Sequence, residues 1–137
     1  AFHEACGTGH LNVVEMLIKN SVQFNIELNT KDDEGNTAFH LACLNGHSNV
    51  VEILMMNYAE FNIELNTKDN FGGTAFHAAC YFGRKSIVEL MISNSDSFNL
   101  ELTARNNEGK TGFQRAQDRG STKVVNLIKS KMPNIAF

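Results

Sequence analysis

Three times in this chain a histidine stands three residues before a cysteine: His3 and Cys6, His40 and Cys43, His77 and Cys80. On a helix this spacing puts imidazole and thiol on one face, as two zinc ligands or a thiol and its general base would require. Neither arrangement is completed. A structural zinc takes four ligands at about 2.0–2.3 Å, whereas helices packed side by side lie about 8–10 Å apart, so neighbouring pairs cannot pool their ligands. The same separation excludes disulfides, whose alpha carbons must come within roughly 7 Å. As nucleophiles the cysteines fall on the apolar side of their helices, where burial disfavours the thiolate. A catalytic site is a single constellation, but this pair recurs, which points to a packing role. The histidine then bonds backbone groups near the turns and the cysteine acts as a small buried hydrophobe. Gly72-Gly73 lacks the Lys-Ser/Thr that a nucleotide-binding loop places after its glycines. No catalytic, metal-binding or cofactor-binding residue is assigned, and the chain is expected not to be an enzyme. Three unpaired thiols predict a reducing compartment, cytoplasmic or nuclear.

The recurrence has a fixed period. Phe2-His3 returns as Phe39-His40 and Phe76-His77, then as Phe113-Gln114, each 37 residues on. The block FNIELNTKD from Phe24 to Asp32 repeats letter for letter from Phe61 to Asp69, and loosely as FNLELTARN from Phe98 to Asn106. Gly9-His10 becomes Gly46-His47, Gly83-Arg84 and Gly120-Ser121. These are four copies of one unit, the first starting after its turn and the last divergent, as in the terminal units of a stack or in an excised fragment. Near-identical copies suit a recent duplication or an engineered consensus equally.

Each copy switches periodicity twice. From Thr37, TAFHLACLNG predicts a short helix carrying Phe39, Leu41, Ala42 and Cys43, with Thr37 as cap and Gly46 as stop. SNVVEILMMN then sets Val50, Val51, Leu54 and Met55 at helical spacing, and Asn49 with Glu52 has the form of a capping box, as do Asn12 with Glu15 and Ser86 with Glu89. Asn20, Asn57 and Asn94 stand where a left-handed residue would end the second helix. Beyond them Phe61, Ile63 and Leu65 alternate with Asn62, Glu64 and Asn66, predicting an extended segment that leads into a turn at Asp69-Asn70-Phe71-Gly72. In the last copy Gln114, Arg115, Gln117 and Asp118 make a more polar first helix, suited to a cap, and Pro133 should stop the final helix.

Composition narrows the partners. With 12 Lys and Arg against 15 Asp and Glu, net charge −3 and 42% apolar residues, the chain reads as one soluble globular domain. Its scattered basic residues do not suit a phosphate backbone, so no nucleic acid is expected. No apolar run approaches the roughly 20 residues of a membrane span. The start, Ala1-Phe2-His3-Glu4, shows neither the basic region nor the apolar stretch of a signal peptide, although a trimmed chain would hide one.

The stretch DDEGNTAFHLACLNGHSNVVEIL from Asp32 to Leu54 closely resembles the ankyrin repeat family, whose pattern is D-x-x-G-x-T-P-L-H-x-A-x-x-x-G-H-x-x-V-V-x-L-L. The resemblance covers essentially the whole chain. Ala38 and Ala75 replace the family's Pro, Phe39 and Phe76 its Leu, and Tyr58 its helix-ending Gly. The period is 37 rather than about 33. The added residues, Ile63-Glu64-Leu65-Asn66 in copy two, predict a longer outer loop. The implied fold is mainly α: an ankyrin-repeat solenoid of stacked helix-turn-helix units joined by extended turns or β-hairpin-like loops. It forms one domain over residues 1–137, with repeats at approximately 1–31, 32–68, 69–105 and 106–137.

The resemblance also implies a role. Such arrays bind partners on the concave surface lined by turn tips and the outward face of each first helix. Here the tips are Asp33, Glu34 and Asn36, then Asn70, Phe71 and Gly73, then Asn107, Glu108 and Lys110. The helices add Leu44 and Asn45, Tyr81 and Phe82, and Asp118 and Arg119. Phe71, Tyr81 and Phe82 would form a central aromatic anchor, unless Phe82 turns inward against the next helix pair. A monomeric scaffold for a protein partner is expected. The alternative is a regulatory or targeting segment of a larger enzyme or channel, and a nucleotide- or RNA-binding array is disfavoured by the acidic balance. Ankyrin repeats also resemble substrates of the asparaginyl hydroxylase of the hypoxia pathway. Its pattern, a Leu eight residues and an acid two residues before the target, is met by Leu54, Glu60 and Asn62, against the reading that Asn62 serves its own turn.

Overall fold

The computed structural model describes residues 1–133, so the end of the fourth repeat, 134–137, lies outside the described residues. Eight helices follow one another in it: α1 (Phe2–Thr8), α2 (Leu11–Lys19), α3 (Ala38–Leu44), α4 (Ser48–Met56), α5 (Ala75–Tyr81), α6 (Lys85–Ser93), α7 (Gly112–Arg119) and α8 (Thr122–Lys131). No strand occurs among the described residues, and the joining segments are turns. The odd-numbered helices pack on one another in one row and the even-numbered helices in a second. One continuous core runs through the stack, and Phe39, Cys43, Val50 and Leu54 of one copy belong to it together with their equivalents Phe76, Cys80, Ile87 and Met91 in the next.

Short helices in water are marginal, so their starts matter. Thr37 is extended at φ −84°, and its Oγ1 accepts from the His40 N–H at 3.3 Å while His40 Nδ1 accepts from the Thr37 N–H at 3.2 Å. This is a capping box with His where Glu or Gln is usual. Thr74 and His77 repeat it, and in the last copy Gln114 Oε1 takes the imidazole's place on the Thr111 N–H at 2.9 Å. The boxes expected on the second helices are absent. Helices α2, α4 and α6 begin at Leu11, Ser48 and Lys85, with His10, His47 and Arg84 at the cap and no side-chain cap bond. The interhelical turn is the reason: Gly46 at φ +78° reverses the chain so tightly that the His47 N–H reaches the Ala42 carbonyl at 3.0 Å, ahead of Asn49.

The asparagines are corrected likewise. Asn20, Asn57 and Asn94 keep negative φ and end their helices by donating Nδ2 to the carbonyl four residues back, each at 2.8 Å. The left-handed residues are Asn25, Asn62 and Asn99, with φ of 53°, 54° and 53°. Asn tolerates this region better than other residues with a Cβ. The loop is longer, as the period implied, and its apolar members pack down: Ile63 and Leu65 are buried while Asn62 and Glu64 are exposed. Adjacent loops are tied by side chains. Asn29 donates to the Asn62 carbonyl and accepts from the Glu64 N–H, both at 2.8 Å, and Asn66 does the same to Asn99 and Glu101. Helix α8 ends at Lys131, two residues before Pro133, as expected.

Gly112 occupies the position of Ala38 and Ala75, and α7 lies closer to α5 than an alanine would allow. A Cβ there would stand 2.8 Å from Cδ2 of Phe76 and 3.2 Å from the Cys80 sulfur. Gly112→Ala is therefore expected to destabilise the chain by about 1–2 kcal/mol, the overpacking cost exceeding the helix-propensity gain of about 1 kcal/mol. Urea titration checks this, and a raised midpoint would mean that the Phe76 ring swings aside freely.

Candidate functional site

The recurring His-x-x-Cys pairs are placed by packing. His40 is buried with both ring nitrogens engaged: Nδ1 on the cap of its own helix, and Nε2 donating to the Gly73 carbonyl of the next copy at 3.0 Å. His77 reaches the Lys110 carbonyl at 2.9 Å, and His3 the Asn36 carbonyl at 3.2 Å. These rings staple each first helix to the turn of the following copy. The three cysteines are buried and free. Burial pushes the Cys6 thiol up to about 12 and the other two still higher, so none is a ready nucleophile.

The turns form the other half of the frame. Asp32 Oδ1 accepts from the Glu34 and Asn36 N–H groups at 3.0 and 2.8 Å, and Asp69 and Asn106 act alike. Gly35, at φ +80°, leaves room for the next turn, where Asn70 donates its backbone N–H to the Glu34 carbonyl and Nδ2 to the Asp33 carbonyl. Asn107 repeats this on Phe71 and Asn70. Asn70 and Asn107, expected to face a partner, thus spend their amides aligning the tips.

Between this row of tips and the first helices lies a concave groove of about 610 Å³. It brings together Glu34, Asn36, Leu44, Phe71, Gly73, Tyr81, Phe82 and Glu108 of the expected surface. Asp33, Asn45, Asn70, Asn107, Lys110, Asp118 and Arg119 do not line it. Asn45 turns back to the Gly7 carbonyl at 2.9 Å, and Lys110 pairs with Asp118 at 2.6 Å. That pairing holds the Lys110 ammonium up and the Asp118 carboxyl down in pKa.

The aromatic centre is built around Tyr81. Its ring carries the Arg115 guanidinium 4.2 Å from the centroid and the Arg119 guanidinium at 5.1 Å, with Phe82 edge-on at 5.2 Å. Phe82 is turned outward, 45% exposed, and Phe71 is 71% exposed at its tip. Leu41, Ala78 and Arg115 also line the groove and were missed. They are equivalent positions one helical turn before Leu44, Tyr81 and Asp118, so the i, i+3 rule could have found them.

Asn62 lies away from this groove, on the long loop. It is exposed, and its carbonyl is held by Asn29. A second hollow of about 360 Å³ is lined by Tyr58, Ile63, Leu65 and Phe98, with Phe98 edge-on to Tyr58 at 5.8 Å. Among the described residues no helix is long and apolar enough to cross a membrane.

Comparison with curated proteins found no match. A family model described as ankyrin repeats (3 copies) matches residues 1–67 and 62–136. Its members are generally protein–protein interaction modules and typically non-catalytic. The stacked helix pairs, the stapling histidines and a match over nearly the whole length lead to one conclusion: the chain belongs to the ankyrin repeat family.

Proposed function

We propose that this chain is a protein-interaction scaffold whose partner docks in the concave groove of the second to fourth repeats. The observation that carries this reading is the exposure of Phe71 and Phe82, which line with Tyr81 the same concave groove. Large aromatic side chains left in water at the centre of a concavity are the usual anchors of an interface. Tyr81 is preorganised by Phe82 and two arginines, so little side-chain entropy remains to be lost on binding. The turn-tip bonds and histidine staples hold the walls without using the aromatic faces.

Phe71→Ala or Tyr81→Ala is expected to weaken partner binding by more than about 1 kcal/mol, with the thermal midpoint nearly unchanged. The measurement is affinity capture from lysate by the wild-type chain and by the Phe71→Ala/Tyr81→Ala double variant, each checked for folding by circular dichroism. Proteins captured by both alike would place the docking surface elsewhere.

A further inference from the structure

The two walls of the groove differ in charge. The tip wall carries Asp32, Glu34, Asp69 and Glu108, whereas Arg115 is the one Lys or Arg among the residues lining the groove. That guanidinium lies on the Tyr81 ring and 3.7 Å from the Asp118 carboxylate, on the helix side. The lysines nearest in sequence are directed elsewhere. Lys31 donates to the Lys68 carbonyl, Lys68 to the Arg105 carbonyl, and Lys110 to Asp118. Asp32 and Asp69 each use one oxygen on their own turns, while Glu34 and Glu108 are exposed and form no ion pair among the described residues. A row of acidic tips, with Phe71 among them, thus faces Tyr81 and Phe82 across a channel lined by three repeats.

Resting on the docking reading above, we infer that the groove takes an extended basic segment of its partner. One apolar side chain of that segment sits against Phe71, Tyr81 and Phe82, and flanking Lys or Arg residues face Glu34 and Glu108. Each part follows from complementarity. The aromatic surface needs an apolar cover to leave water, and the excess of carboxylates over the single guanidinium in the groove favours cations and rejects acidic segments. A volume near 610 Å³ has room for a few side chains of a strand-like peptide.

The test is a selection of short random peptides displayed on phage against the full chain, followed by fluorescence anisotropy of the synthesised winners. The expected winners place Lys or Arg on both sides of an apolar residue. They should bind about tenfold more weakly to a Glu34→Gln/Glu108→Gln variant of unchanged thermal midpoint, at about threefold per charge. Raising salt from low to physiological concentration should weaken them similarly. The Phe71→Ala/Tyr81→Ala chain should lose them. Winners that are uncharged or acidic yet lost with that double variant would overturn the basic-segment inference and leave the docking groove standing. Basic winners indifferent to it would overturn both. No enrichment over bare support would overturn the extended-segment inference alone, since capture of a folded partner is read separately.

Discussion

Phe76→Ala should cost the chain about 3–5 kcal/mol, the range for truncating a buried aromatic side chain. Phe76 is 3% exposed and wedged against Gly112 of the next repeat, so its loss empties the α5–α7 contact. Domains of this size are stable by about 5–15 kcal/mol, and one substitution would therefore remove roughly a fifth or more of the total. For a urea slope near 2 kcal/mol per molar, the midpoint should fall by about 1.5–2.5 M. Phe39→Ala, 2% exposed one repeat earlier, should behave alike. Phe71→Ala, 71% exposed, should leave the midpoint within a few tenths of a molar. If all three shift equally, the division into packing and docking aromatics is wrong. Because each repeat touches only its neighbours, the Phe76 variant is also expected to unfold in two steps, with the first three repeats separating from the fourth. Circular dichroism and a probe confined to α7 or α8 would then give different midpoints.

That division could be read from the sequence because it depends only on spacing. Phe2, Phe39, Phe76 and Phe113 recur at the same place in each copy, and residues that solve a shared packing problem must recur. Phe71, Tyr81 and Phe82 do not recur, and they are left in water or in the groove. The fold class and the helix pairs followed from the same periodicity.

What could not be read involves contacts from one copy to the next. The imidazoles bond carbonyls 33 residues on, and Asn29 and Asn66 bond loop groups 33 and 35 residues on. These registers depend on how far one copy is translated and rotated over another, which a 37-residue period does not specify. The Asn49–Glu52 box failed for a local reason of the same type. Its letters fit a cap, but the tight turn at Gly46 moved the helix start forward. The sequence marks Arg115 only as part of a polar cap; its place over Tyr81 needs α5 and α7 side by side.

Acidification should weaken the stack through its stapling histidines. His40 and His77 must be neutral in the folded chain: Nδ1 accepts from the cap N–H while Nε2–H donates to the next copy's carbonyl. A proton on Nδ1 would set two donors against each other. Burial lowers both pKa values, with the Gly73 or Lys110 carbonyl and the Asp69 charge opposing in part. The sign follows from linkage. The unfolded histidines titrate near 6.5 and the folded ones lower, so between these values the unfolded state binds more protons. Stability is therefore fully present above about pH 6.5 and is lost as pH falls toward the folded values. The slope is at most about 1.4 kcal/mol per pH unit for each ring. The fourth repeat supplies the control, since Gln114 makes the same cap bond without a titratable group. A His40→Gln/His77→Gln chain should keep its helix starts but lose the two carbonyl staples. At pH 7.5 that costs about 1–3 kcal/mol for each carbonyl left without its donor. Between pH 6.5 and 5, however, its urea midpoint should change far less than that of the wild-type chain. An equal acid slope in both would assign the loss to other groups and remove the buried histidines as its cause.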